Sequence, residues 1–154
     1  MACSSVARRT DIPARVLRLG PRVWPDLLRA AAELSRARWR LGRHSGRALI
    51  RLARRQNPTA QDGWSPDAAL VDRVAFAVPR VAAHVPWRAD CFIQALAAQS
   101  WLARAGIPSD IHIGVRQDRE PGFEAHAWLR TGDRTVTGGD ISGFVPLVTP
   151  ESLV

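Results

Sequence analysis

The stretch PWRADCFIQALAAQSWLARAGIPSDIHIGVRQD, residues 86–118, changes its apolar period partway along, and that change decides the fold. In its first part Phe92, Ala95, Leu96, Gln99 and Leu102 recur at the spacing of one helix face. Asp90 stands where an N-cap belongs, and Gly106, just ahead of Ile107-Pro108, is a stop signal. From Ile111 the period becomes two: Ile111, Ile113 and Val115 alternate with His112, Gly114 and Arg116, as in a half-buried strand. After a loop, DREPGF (118–123), the segment EAHAWLR (124–130) alternates again, TGDR (131–134) reads as a hairpin turn, and TVTGG (135–139) returns. A helix followed by an antiparallel sheet is an α+β layout.

Working outward, residues from about 22 to 55 read as helical. Val23, Leu27, Leu28, Ala31 and Leu34 recur at helical spacing, and Leu41, Leu49, Leu52 and Ala53 continue it more loosely past Gly42 and Gly46. The turn-rich NPTAQDGWSP (57–66) follows as a linker. A further helix is expected from about Pro66 to His84, with Leu70, Val74, Ala77, Val78 and Val81 on one face and a kink or break at Pro79. The organisation expected is an Arg-rich helical N-terminal region and linker over 1–62 and a chemistry-bearing domain over 63–154.

Composition narrows the function classes. A chain of 154 residues with 46% apolar and 23% charged residues can bury a real core. No run approaches the roughly 18 apolar residues of a membrane span. The first twenty residues are basic but have no apolar h-region, so a cytoplasmic location is expected. Two cysteines, Cys3 and Cys91, offer neither a disulfide framework nor a cysteine-type zinc site. All 22 basic residues are Arg, and the net charge of +8 is lopsided. Residues 1–60 hold 14 Arg against Asp11, Asp26 and Glu33, whereas the remainder holds 8 Arg against 11 acids. Such a basic arm suits an acidic peptide, nucleic acid or an anionic surface, or is simply a solvated helix face.

The residues that can do chemistry lie in the second half. Cys91 falls at the first turn of its helix, where unpaired N–H groups and the helix dipole favour negative charge, and the thiolate is the nucleophilic form. The alternative is a cysteine that merely packs. His126 lies on EAHAWLR between two alanines that leave its ring room to meet a partner. A cysteine opening a helix and a histidine on a following strand form the pair that nucleophilic catalysis requires, with a third group to hold the imidazole in the useful tautomer. If Gly132-Asp133 form the turn, His126 faces about residue 139, which brings Asp140 beside it and leaves Asp133 at the wet tip. Asp140 is the candidate third group, and opening the turn DISG is its other reading. His112 faces away from Ile111 and Ile113, and His44 and His84 lie outside the sheet. Zinc on His112 and His126 would lack two further ligands at any compact spacing.

These residues together resemble the transglutaminase-like superfamily, and more closely the lasso-peptide leader peptidases of the microcin-processing B family. The resemblance rests on Trp87-Arg88, Cys91, the Ala/Leu-rich helix, Gly106-Ile107-Pro108, Gly114-Val115-Arg116 and His126-Ala127-Trp128, over about residues 68–150. It implies a papain-like cysteine peptidase domain over 63–154, catalytic Cys91 and His126, and Asp140 as the nearest acid. The family's acid usually stands one or two residues closer to the histidine, where this chain has Gly138 and Gly139. The implied reaction removes the leader from a ribosomally made precursor before a separate cyclase closes the ring, with no metal, nucleotide or other cofactor. The N-terminal region lacks the strand pattern of a fused leader-binding module, so a separate leader-recognition protein is the expected partner, docked on the Arg-rich helices near Trp24 and Trp39. Nucleic acid has no part in this reading. A transglutaminase-like acyl transferase and a non-enzymatic basic peptide-binding module are the alternatives.

Overall fold

A computed structural model of the chain describes residues 20–59, 67–117 and 123–148. Four helices precede a four-stranded antiparallel sheet, the α+β arrangement expected from the change of period. Each helix begins where its sequence provides a start. α1 (Trp24–Leu41) opens on Pro25, whose missing N–H costs nothing in a first turn. α2 (Gly46–Arg55), α3 (Ala68–Ala82) and α4 (Cys91–Arg104) are capped by Ser45, Asp67 and Asp90, whose side chains accept the N–H of Ala48, Leu70 and Ile93. The separation of α1 from α2 falls at Gly42–Ser45, where the apolar spacing loosens. Pro79, by contrast, does not end α3. The helix runs through it to Ala82, with Val74, Ala77 and Val78 buried in the turns that lead up to it. Most of the 57–66 linker lies outside the described residues.

α4 sits at the centre. It contacts α1 and α3 on one side and strand β2 on the other. Ile93, Ala95 through Gln99, Trp101 and Leu102 are therefore all buried, a wider band than the single stripe the sequence suggested. Burying each of its Leu or Ile side chains stabilises the fold by roughly 1.5–3 kcal/mol. Leu27, Ala30 and Leu34 of α1 and Val71, Val74 and Val78 of α3 belong to the same core. The helix stops at Gly106, whose φ of 73° suits glycine. There the Ile107 N–H reaches the Leu102 carbonyl and the Gly106 N–H the Ala103 carbonyl, so two end carbonyls are satisfied.

The face that α1 buries differs from the expected one. Leu28 is 67% exposed, and Asp26 and Glu33 are buried in its place. Each acid is paired across the helix packing. Arg73 of α3 donates two hydrogen bonds to Asp26, at 2.9 and 2.8 Å, and Arg104 of α4 donates to Glu33. Periodicity of apolar residues alone misses such positions, because the arginines that neutralise the acids come from elsewhere in the chain.

The sheet order is β3-β2-β1-β4, all antiparallel, with β1 Asp110–Gln117, β2 Phe123–Thr131, β3 Arg134–Thr137 and β4 Val145–Val148. β4 was not apparent in the sequence. VPLV carries a proline and no alternation, and an edge is the position in a sheet that tolerates both. Ile111, Ala127, Leu129 and Val136 are buried, and of these Ile111, Leu129 and Val136 join the core cluster. His112, Gly114, Arg116, Glu124, His126 and Trp128 share the other face by alternation, with Gly114 opposite His126 and His112 opposite Trp128. Among the described residues no helix is long and apolar enough to cross a membrane.

Candidate active site

Cys91 is the first residue of α4, and Asp90 immediately before it anchors the helix start by accepting the Ile93 N–H at 3.1 Å. The half-buried thiol is not in a disulfide. Its sulfur accepts the backbone N–H of Ala127 at 3.4 Å. That contact depends on where β3 ends. Strands β2 and β3 pair from Thr131↔Arg134 to Leu129↔Thr137, with an irregularity between Leu129 and Arg130. Beyond Thr137 the chain turns off through Gly138 and Gly139, at φ of 116° and 64°. The Ala127 N–H is thereby freed from strand pairing on that side, and the sulfur takes it. An N–H aimed at the sulfur acts in the same sense as the helix N-terminus, favouring negative charge there.

His126 precedes Ala127 on β2, one residue before the N–H that the Cys91 sulfur takes. The ring is held on three sides. Its Nε2 lies 2.7 Å from the Gly138 carbonyl oxygen. A carbonyl only accepts, so Nε2 carries a proton and donates it, which leaves Nδ1 as the basic nitrogen of the neutral ring. Trp128 stacks on the imidazole at a centroid distance of 6.2 Å, and Phe144 lies against it at 4.9 Å. Arg116 in turn covers Phe144, with its guanidinium carbon 4.6 Å from the ring centroid, and pairs with Glu124 at 3.0 Å.

Asp140 stands elsewhere. It is exposed, and its carboxylate accepts the Ser142 N–H at 2.9 Å, closing a tight turn. The hydrogen bonds from Ser142 hold this carboxyl below the usual aspartate range, with help from the positive charge of Arg116. The hydrogen bond on His126 Nε2 goes to Gly138 instead. The expected register, which put Asp140 beside His126, assumed that β3 continued past Thr137. The two positive-φ glycines that stop it are the visible signal that it does not.

The other titratable candidates have partners of their own or are exposed. Asp133 is at the exposed hairpin tip with Arg130 3.8 Å away. His112 stacks on Trp128 with ring centroids 5.8 Å apart and planes only 9° from parallel, on the face turned from the buried Ile111. His84 is exposed, and its Nδ1 donates to the Arg80 carbonyl at 2.6 Å. His44 is exposed in the α1–α2 connection. Among the described residues no group of three or more His, Cys, Asp or Glu side chains is arranged to hold a metal ion.

Two residues of the site have a role that sequence reasoning did not find. Phe144, ahead of β4, packs on the His126 ring. Gly114, on β1, leaves room for Trp128: a Cβ there would meet Trp128 Cη2 at 2.8 Å and the Val145 carbonyl oxygen at 2.7 Å. The thiol on a helix start, the imidazole on the neighbouring strand and the fixed tautomer together can run acyl transfer through a thioester.

Neither a curated protein nor a solved structure matches the chain. A family model does, that of the transglutaminase-like superfamily, and it covers residues 28–149, from the first turns of α1 to just beyond β4. With the cysteine helix and the histidine strand both inside a match that takes in most of its length, this chain belongs to the transglutaminase-like superfamily.

Proposed function

We propose that the protein is a cysteine peptidase that removes the leader from a ribosomally made lasso-peptide precursor, with Cys91 as nucleophile and His126 as general base and acid. The observation that carries the chemistry is the seating of the Cys91 sulfur on the N–H of the residue after His126. The choice of substrate rests on the resemblance of the ordered motifs from Trp87 to Trp128 to the lasso-peptide leader peptidases.

The Cys91 thiolate attacks the carbonyl carbon of the scissile peptide, and the oxyanion develops at the start of α4, where the Cys91 N–H is a candidate donor. The C–N bond then breaks as His126 Nδ1–H protonates the leaving amine, which leaves a thioester on Cys91. Water, deprotonated by Nδ1, releases the leader acid and restores the thiol. Throughout, Nε2–H stays on the Gly138 carbonyl, so the ring keeps its orientation while Nδ1 gains and loses its proton. No cofactor is needed for these steps.

We further propose that a separate leader-recognition protein presents the substrate, docking on the outer faces of α1 and α2. Support comes from the exposed Arg47, Arg51 and Arg55 of α2 and from Trp39, which is 56% exposed with Arg43 stacked 3.9 Å from its ring centroid. Such a surface suits an acidic partner with an apolar anchor.

Cleavage of a precursor from the same gene neighbourhood, with the leader-binding protein present, tests the reading by mass spectrometry. Wild type should release the leader and Cys91→Ala should not. Equal cleavage by both would remove Cys91 from the mechanism and end this proposal. Leader binding by this chain alone, as tight as with the partner, would end the two-protein arrangement while leaving the peptidase intact.

A further inference from the structure

We propose that the group orienting His126 is the main-chain carbonyl of Gly138, and that Asp140 is a positioning residue that holds the turn from which this carbonyl is presented. The inference deepens the Cys91–His126 reading and rests on it.

Several independent features converge on the carbonyl. It lies 2.7 Å from Nε2, a full-strength hydrogen bond. The peptide that carries it is pressed into place: a Cβ on Gly138 would stand 2.3 Å from Trp128 Cβ, 3.1 Å from Trp128 Cα and 3.3 Å from His126 Nε2. No side chain fits there, and the φ of 116° is itself one that few residues other than glycine adopt. Glycine at 138 is thus what allows a backbone oxygen to reach the place where a side-chain acid would otherwise be needed. Just before it, Val136 and Thr137 are buried, so the approach is anchored from β3.

The far side of the turn is anchored as well. Asp140 accepts the Ser142 N–H at 2.9 Å, and the Phe144 N–H reaches the Ile141 carbonyl at 3.2 Å. These two bonds fold residues 140–144 back so that Phe144 lies 4.9 Å from the His126 ring. One loop therefore grips the imidazole twice, by Gly138 at Nε2 and by Phe144 at the ring face, with the Asp140 turn between the two grips. Asp140 acts here as a hydrogen-bond acceptor for a backbone N–H, a task that needs an oxygen and no charge.

That distinction sets the test. Asn keeps an oxygen able to accept the Ser142 N–H and lacks the charge, whereas Ala keeps neither. Asp140→Ala should lower kcat/KM by about tenfold through the loosened turn, and Asp140→Asn should restore it to within about threefold of wild type. An acid that touched the imidazole would behave otherwise, since its replacement by the amide costs on the order of 10⁴ in a Ser-His-Asp enzyme. Asp140→Asn activity down by tenfold or more would overturn the proposal, and an unaffected Asp140→Ala would remove Asp140 from it. A second readout needs no activity. Nitrogen-15 NMR of the histidine-labelled full chain should find neutral His126 with its proton on Nε2 in wild type and in Asp140→Asn alike. A neutral ring with its single proton on Nδ1 refutes the Gly138 bond whether or not the chain proves to be a peptidase. An Nε2–H ring in a chain that cleaves no precursor would fault the substrate reading alone.

Discussion

Substituting Gly114 by alanine should disable the site from a residue that does no chemistry. Gly114 sits on β1 opposite His126, and the edge of the Trp128 indole fills the space where its Cβ would be. The new methyl would meet Trp128 Cη2 at 2.8 Å and Cζ3 at 3.0 Å, where ordinary contact begins near 3.4 Å, so the ring must give by about 0.6 Å. The ring has little freedom to do so, because His112, His126 and Phe144 pack around it. On the strand side the methyl meets the Val145 carbonyl oxygen at 2.7 Å, and that atom belongs to the β4 backbone. Overpacking of this kind costs roughly 1–3 kcal/mol, which for a domain of this size lowers Tm by several degrees, about 2–4 °C for each kcal/mol. The larger effect falls on catalysis. A displacement approaching 1 Å at a general base costs on the order of 10²-fold in rate, so Gly114→Ala should lose about 10- to 100-fold in kcat with the chain still folded. Gly106→Ala is the control: its φ of 73° makes alanine strained there, yet nothing lies within 4 Å of the added Cβ. Thermal unfolding by circular dichroism and precursor cleavage would be measured on both variants below their transitions. Equal activity of the two at equal fraction folded would refute the argument that Gly114 acts through Trp128 on His126.

Two further outcomes follow from the charges. Glu33 is 2% exposed, whereas its partner Arg104 is 43% exposed, so the two halves of the pair are not equivalent. Arg104→Met leaves a buried carboxylate with, among the described residues, only Arg36 to pair it and should cost about 2–4 kcal/mol in urea unfolding, while Glu33→Leu leaves an arginine that water can reach and should cost under about 1 kcal/mol. The opposite order would mean that the pair contributes through Glu33 packing alone. Asp140 makes a statement about pH. Its carboxyl is held below the ordinary value of about 3.9, so the turn's stabilisation is complete above that value and is lost as pH falls through the lower folded pKa. The turn is therefore constant above about pH 5, and a limb in the pH profile of kcat/KM near neutral pH should survive unchanged in Asp140→Asn. Loss of the limb in that variant would assign it to Asp140.

Much of the fold is decided locally. The caps at Ser45, Asp67 and Asp90, the stop at Gly106 and the switch of period after Ile107 define three helix starts, the end of the cysteine helix and the first strand, because capping and amphipathic period are properties of neighbouring residues. The placement of Cys91 at a helix start and of His126 on an alternating strand was legible for the same reason. What the sequence left open is what depends on partners distant in the chain. Asp26 and Glu33 face inward only because Arg73 and Arg104 come to meet them, while Leu28 faces water. β4 exists because β1 offers it an edge. The environment of His126 was decided in the same way. Local reasoning carried β3 onward to Asp140, but Trp128 fills the space beside residue 138 and forces a glycine with positive φ there. The strand ends, Asp140 turns to Ser142, and the oxygen left facing the imidazole is that of the Gly138 backbone.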